Sequence, residues 1–141
     1  MKISATRIIK FDTGHRVVNH ESKCKTLHGH EYHAHIYATA DQLDGIGRVI
    51  DFSVIKELIG QWIDENWDHT MIIWEKDPNL KHLLLCEGHK NIWVSGFNPT
   101  AENMAQYLLD VICPTLLKNT GVVVDKIRLY ETSNCYVEVS L

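Results

Sequence analysis

The sequence predicts an α+β fold in which an antiparallel sheet is covered on one face by helices. Three observations lead there: period-two alternation in four segments, helical periodicity in two others, and the order strand, strand, helix, helix, strand, strand. Helices bunched between two hairpin-like pairs are expected to lie together on one side of a four-stranded sheet.

Each element has a local reason. Residues 3–11, ISATRIIKF, put Ile3, Ala5, Ile9 and Phe11 on one side as a half-buried strand does, with Arg7 the exception. Residues 28–40 form a second extended run ending at the turn-like DQLDGIG, and the two runs read as a hairpin joined by the His-rich connection 12–27. In DFSVIKELIGQWIDENW, Ile55, Leu58, Ile59, Trp62 and Ile63 recur at helical spacing behind Ser53, a suitable amino-terminal cap. Residues 75–98 show no clear periodicity beyond one short helical turn and read as a long functional loop. A second helix opens at PTAENMAQYLLDVI, capped by Thr100, with Met104, Ala105, Leu108, Leu109 and Ile112 facing inward; Pro114 is expected to end or bend it. VVVDKIRLYE and CYVEVSL alternate on either side of the tight TSN and supply the last hairpin.

Composition narrows the function. A chain of 141 residues, 45% hydrophobic, is expected to form one domain spanning 1–141. Its net charge of -4, with Lys and Arg scattered, offers no basic stripe for a phosphate backbone, so no nucleic-acid partner is expected. No apolar run approaches the roughly 20 residues of a membrane span, and MKISATRIIKF alternates where a signal peptide would be continuously apolar. The expected location is cytoplasmic. The four cysteines, Cys24, Cys86, Cys113 and Cys135, lack paired spacing and read as free thiols. The nine histidines are the compositional excess.

Their densest cluster lies in CKTLHGHEYHAH, residues 24–35. On a strand, His28 and His30 point to the same face. His15, in FDTGH, closes the first strand near the start of its hairpin partner and is the best third ligand. Three neutral imidazoles suit Zn²⁺ and leave its fourth position open for water or substrate. The same His-Gly-His also suits a solvent-facing polar strand. His33 and His35 have the opposite parity and read as surface or interface residues, while His20, His82 and His89 fall in loops.

Cys24 sits four residues before His28, and the flanking Lys23 and Lys25 favour a reactive thiolate. It reads as a nucleophile or proton carrier, or as a fourth ligand of a closed site. Asp68-His69, in NWDHTMI, offers an imidazole with an orienting carboxylate, and equally a polar helix end. Glu131, ending an alternating strand, is a carboxylate able to accept two parallel N–H bonds from a guanidine-like heterocycle edge; a solvated strand end is the plainer reading.

In order along the chain, FDTGH, CKTLHGHEY, GRVIDF, WDHTMI, NPTAEN and LYETSN resemble the motifs of the 6-pyruvoyltetrahydropterin synthase and 6-carboxytetrahydropterin synthase family. The resemblance covers residues 11–134, and the ordered set is far more specific than any one piece. It implies the tunnelling fold, a four-stranded antiparallel sheet with two helices on one face (ββααββ), assembled as a hexamer of two trimers with sites at subunit contacts. It implies that His15, His28 and His30 bind zinc, that Cys24 is the catalytic thiol with Asp68 and His69 as its relay, and that Glu131 anchors a pterin. Thr100 and Glu102 fall in the segment that lines the family's pterin pocket. The spacing Cys-x-x-x-His-Gly-His looks like the carboxy-forming branch of queuosine and other 7-deazapurine biosynthesis. The implied activity is a zinc-dependent carbon–carbon lyase that converts 7,8-dihydroneopterin triphosphate to 6-carboxy-5,6,7,8-tetrahydropterin, releasing triphosphate and acetaldehyde. Pyruvoyl formation from the same substrate is the near rival, and a non-catalytic zinc-binding oligomer the distant one.

Overall fold

A computed structural model describes residues 1–141. The chain runs β1 (Ala5–His15), β2 (His28–Thr39), α1 (52–66), β3 (Thr70–Trp74), α2 (Leu80–Glu87), β4 (Ile92–Ser95), α3 (101–117), β5 (Val123–Thr132) and β6 (Cys135–Ser140). One six-stranded sheet has the order β4-β3-β1-β2-β5-β6. The four strands expected from alternation are present as the antiparallel run β1-β2-β5-β6. The expectation of a four-stranded ββααββ sheet is corrected by β3 and β4, which extend it in parallel beyond β1, and by the third helix α2.

The added elements fall where local pattern is weakest. β3 and β4 are five and four residues long, too short for alternation to register, and β3 meets β1 only at Thr13–His15. α2 has no side-chain cap at Asn79 and no buried residue, so neither a start signal nor a clean apolar stripe marks it. Residues 75–98 are therefore an ordered helix and edge strand rather than a long loop.

Alternation decides which face is buried. Ile9 and Phe11 of β1, Tyr32, Ala34, Ile36 and Ala38 of β2, and Ile127 and Leu129 of β5 pack with Ile55, Ile59 and Ile63 of α1 and Met104, Leu108 and Ile112 of α3 in one core. Trp62, Trp67, Trp93 and Tyr107 add an aromatic cluster with ring centroids 5.2–6.3 Å apart. The opposite face carries Lys10, Asp12, Glu31, His33 and His35. No helix is long and apolar enough to cross a membrane.

Two helix details depart from the sequence reading. The amino-terminal cap of α1 is Asp51, whose carboxylate accepts from the Ser53 amide and hydroxyl, both at 2.9 Å. Pro114 does not end α3, because a π-turn over Leu108–Ile112 precedes it and the wider turn moves carbonyl oxygens away from the pyrrolidine ring. Thr100 caps α3 as expected, its hydroxyl accepting from the Asn103 amide at 3.1 Å. Thr100→Ala should cost about 1 kcal/mol, read as a lower urea midpoint at unchanged slope, with Thr100→Ser close to wild type.

Candidate active site

The β1–β2 register sets His15 directly across from His28, and Thr13 across from His30. His28 and His30 share the parity of buried Tyr32, so all three rings emerge on the helix-covered face at one end of the sheet. Ring centroids are 4.6 Å (His15–His28), 4.8 Å (His28–His30) and 5.4 Å (His15–His30) apart. β5 brings Glu131 onto the same cluster, and the four side chains offer donor atoms all within 4.8 Å of one another. The side chain that Gly29 lacks would point to the other face. There Gly14 and Gly29 stand opposite each other, and a Cβ on Gly14 would meet His28 O at 3.3 Å.

Backbone carbonyls orient two of the rings. His15 Nδ1 contacts Pro99 O at 2.6 Å, and His28 Nδ1 contacts Thr26 O at 2.5 Å. A ring that donates its Nδ1–H to a carbonyl turns the Nε2 lone pair toward the cluster, as in metal-ligating histidines. A tetrahedral ion with metal–nitrogen distances of about 2.0–2.1 Å spaces its donors about 3.3 Å apart. Here His15 Nε2 is 3.2 Å from His28 Nε2 and 3.4 Å from Glu131 Oε1. His30 Nε2 is 2.9 Å from Glu131 Oε1 but not directed at it, so this buried nitrogen lacks a hydrogen-bond partner. A convergent, partly orphaned N₃O set of this spacing fits a divalent cation.

The electrostatics agree. Burial lowers the His30 pKa against the opposing pull of Glu131, which favours the neutral, ligating imidazole. Glu131 is held below the usual carboxylate range, chiefly by its hydrogen bond with His15 and despite burial. Tyr32, with its Oη 3.3 Å from both His15 ring nitrogens, is pushed far upward by burial, then by the charges of Glu131 and Cys24.

Cys24 lies in the 3-10 turn Lys23–Lys25, half-buried, with its carbonyl accepting from the Val17 amide at 2.7 Å. It is not among the converging donors, whose fourth member is Glu131. Asp68 and His69 form their own unit with Asp12: Asp68 Oδ2 is 2.9 Å from His69 Nδ1, and Asp68 Oδ1 accepts from the Asp12 amide at 2.8 Å. The Asp68 hydrogen bond raises the His69 pKa. Asp12 faces the side of the sheet opposite Thr13 and His15, and Cys24 is not a member of this group.

Thr100 and Glu102 follow Pro99, the residue that orients His15, and so connect to the cluster through the backbone. Arg16 is turned aside onto buried Asp77, with Nε 3.1 Å from Oδ2. His33 pairs with Glu31 at 2.7 Å and His35 packs on Tyr130, both on the outer face. His82 belongs to α2, not a loop, and touches Cys86. Sequence reasoning missed the Pro99 and Thr26 carbonyls, Tyr32 and Asp12. Of these only Tyr32 left a signal, its parity with His28 and His30.

Comparison with known proteins decides the family. The family model described as 6-pyruvoyl tetrahydropterin synthase matches residues 4–141. The chain belongs to the 6-pyruvoyl tetrahydropterin synthase family. Relatives from Rickettsia conorii and Rickettsia bellii, 44% and 41% identical over 97% of this chain and 99% of theirs, are named 6-carboxy-5,6,7,8-tetrahydropterin synthase. Among solved structures, an uncharacterized protein of Wolinella succinogenes superposes with a TM-score of 0.87 at 23% identity, covering 99% of this chain and 98% of that one. The Caenorhabditis elegans 6-pyruvoyl tetrahydropterin synthase does so with 0.72 at 20% identity, covering 100% and 96%. The 6-pyruvoyl tetrahydropterin synthase fold is thus shared with proteins of much lower sequence similarity.

Proposed function

We propose that residues 1–141 make one pterin synthase domain that converts 7,8-dihydroneopterin triphosphate to 6-carboxy-5,6,7,8-tetrahydropterin, with release of triphosphate and acetaldehyde, in queuosine or another 7-deazapurine pathway. The observation that carries the reading is the convergence of His15, His28 and His30 on one point with Glu131 beside them. The names of the relatives and the Cys-x-x-x-His-Gly-His spacing favour the carboxy product.

His15, His28 and His30 would hold Zn²⁺, which suits three imidazoles. When bound, the ion supplies Lewis acidity to the hydroxyls of the substrate side chain. Glu131, ionised and half-buried, accepts paired N–H bonds from the pterin edge and sets the side chain against the histidines. The segment at Thr100 and Glu102 closes that end of the site. The Cys24 thiolate takes and returns protons on the side chain, and His69, oriented by Asp68, holds the proton between steps. The ring is reduced at the expense of its own side chain, so no nicotinamide is required.

One chain does not join Cys24 to the dyad, which supports a relay completed between copies. The outer edge of β1 is unpaired ahead of Thr13, and β6 is a free edge. Edge-to-edge pairing of these strands would protect both and close a ring of sheets, in keeping with a hexamer of two trimers.

The test is product analysis. Purified, zinc-loaded protein given 7,8-dihydroneopterin triphosphate should yield acetaldehyde with 6-carboxytetrahydropterin. A pyruvoyl product without acetaldehyde would move the chain to the sister activity, and metal binding with no turnover would leave only a zinc-binding oligomer.

A further inference from the structure

Asp12 is an acidic residue of the site region that no proposed step uses. Its backbone already has a structural task. The Asp12 amide donates to Asp68 Oδ1 at 2.8 Å, Asp68 Oδ2 holds His69 Nδ1 at 2.9 Å, and the His69 amide donates back to the Asp12 carbonyl at 2.6 Å. This closed ring pins His69 in a left-handed conformation, φ 58°, which a non-glycine residue adopts only at a cost. The imidazole is thereby turned outward, with its side chain 77% exposed.

The Asp12 carboxylate takes no part in that ring. It makes no hydrogen bond or ion pair of its own, yet its oxygen lies within 4.8 Å of the donor atoms of both Asp68 and His69. A carboxylate fixed there without a partner acts on its neighbour through its field. The cavity onto which His69 opens, about 420 Å³, is walled by Asp12, Thr13, Gly14 of β1, Gly29, His30 and Glu31 of β2, and Thr70 of β3. No lysine or arginine lines the cavity; Lys10, two residues before Asp12 on the same face of β1, is not among the lining residues. Glu31, opposite Asp12 in register, is already paired with His33. His30 is the one other basic residue of the lining. Thus His69 faces the Asp68 carboxylate on its own segment and the Asp12 and Glu31 carboxylates across the cavity.

We infer that Asp12 is a positioning residue of the reaction: its carboxylate, standing beside Asp68 against the His69 ring, keeps that imidazole in its proton-carrying form at the mouth of the cavity it shares with His30. The inference rests on the relay role proposed for His69. It deepens that role by assigning His69 the acid state at rest, so that a thiolate elsewhere in the site meets an imidazolium rather than a competing base. Both neighbouring carboxylates raise the His69 pKa, the Asp68 contribution being the larger.

The experiment is Asp12→Asn in the full-length protein, which keeps the backbone ring and removes only the charge. The His69 ring resonance, identified by its absence in His69→Gln, is followed by NMR against pH without substrate. Its midpoint should fall in Asp12→Asn and recover in Asp12→Glu, with the thermal midpoint of the fold unchanged. In turnover, the limb of the kcat profile that declines with rising pH should move to lower pH, with kcat near pH 8 down about threefold and KM unchanged. An unmoved His69 midpoint would overturn the inference, and so would a moved midpoint with an unmoved kcat limb. The NMR titration needs no turnover, so failure of the wild-type reaction itself would be recognised separately as failure of the proposed activity.

Discussion

His28→Ala should abolish zinc binding while the sheet and its helices remain intact. The ring is half-exposed at the end of β2 and contributes nothing to the core, whereas its Nε2 is one of three nitrogens aimed at a single point. Losing even an outer-shell partner of a metal ligand commonly costs 10–100-fold in affinity, and losing the ligand itself should exceed about 100-fold. The result would be read twice. Zinc content by elemental analysis should fall to background. Added zinc should also stop stabilising the protein: with free metal about a thousandfold above Kd, the wild type should gain about 4 kcal/mol and melt about 10 °C higher, and the variant should gain nothing. Full zinc content in His28→Ala would refute the ligand set.

Protons compete with the ion for the same nitrogens, so zinc should be released as pH falls through the histidine range. Burial that lowers the His30 pKa delays that competition at one ligand. Glu131→Gln distinguishes the two uses of this carboxylate. As a substrate anchor it should leave zinc content untouched and weaken pterin binding. A loss of zinc would instead make Glu131 a fourth ligand.

Cys24→Ala should retain the fold and the zinc yet lose about 10²–10⁴-fold in kcat, the usual worth of a positioned proton carrier. The thiol is half-buried in a short turn, outside the core and outside the donor cluster, so its removal should disturb neither. Turnover at wild-type rate would remove the thiol from the mechanism. Because Cys24 is not a member of the group that the dyad forms in one chain, a mixing experiment adds information. Separately inactive Cys24→Ala and His69→Ala chains, denatured and refolded together, should regain part of the activity if the thiol of one copy meets the imidazole of another. No recovery would place the whole relay within one chain.

The legibility of this protein divides by range. Ile9 and Phe11, or His28, His30 and Tyr32, share a face because successive strand residues point to opposite sides, a property of the local backbone. Helix α3 could be read from Thr100 at its start and its apolar spacing. Asp51 displaced Ser53 as the cap of α1 because a carboxylate two residues earlier reaches both the amide and the hydroxyl of Ser53. β3, β4 and α2 escaped the reading because five, four and eight residues carry too few periods to show.

By itself, then, the sequence determined the antiparallel strands, the two core helices, the family motifs, and the parity that sends His28 and His30 to one face. Those features follow from side-chain direction and spacing within a dozen residues. Tertiary structure alone decided that β3 and β4 widen the sheet, that Glu131 joins the histidines, that Pro99 and Thr26 orient their rings, and that Asp12, Asp68 and His69 form a unit that does not include Cys24. Each of these depends on pairing between segments distant in the chain, and such pairing is chosen by the burial of the whole core rather than by any local pattern.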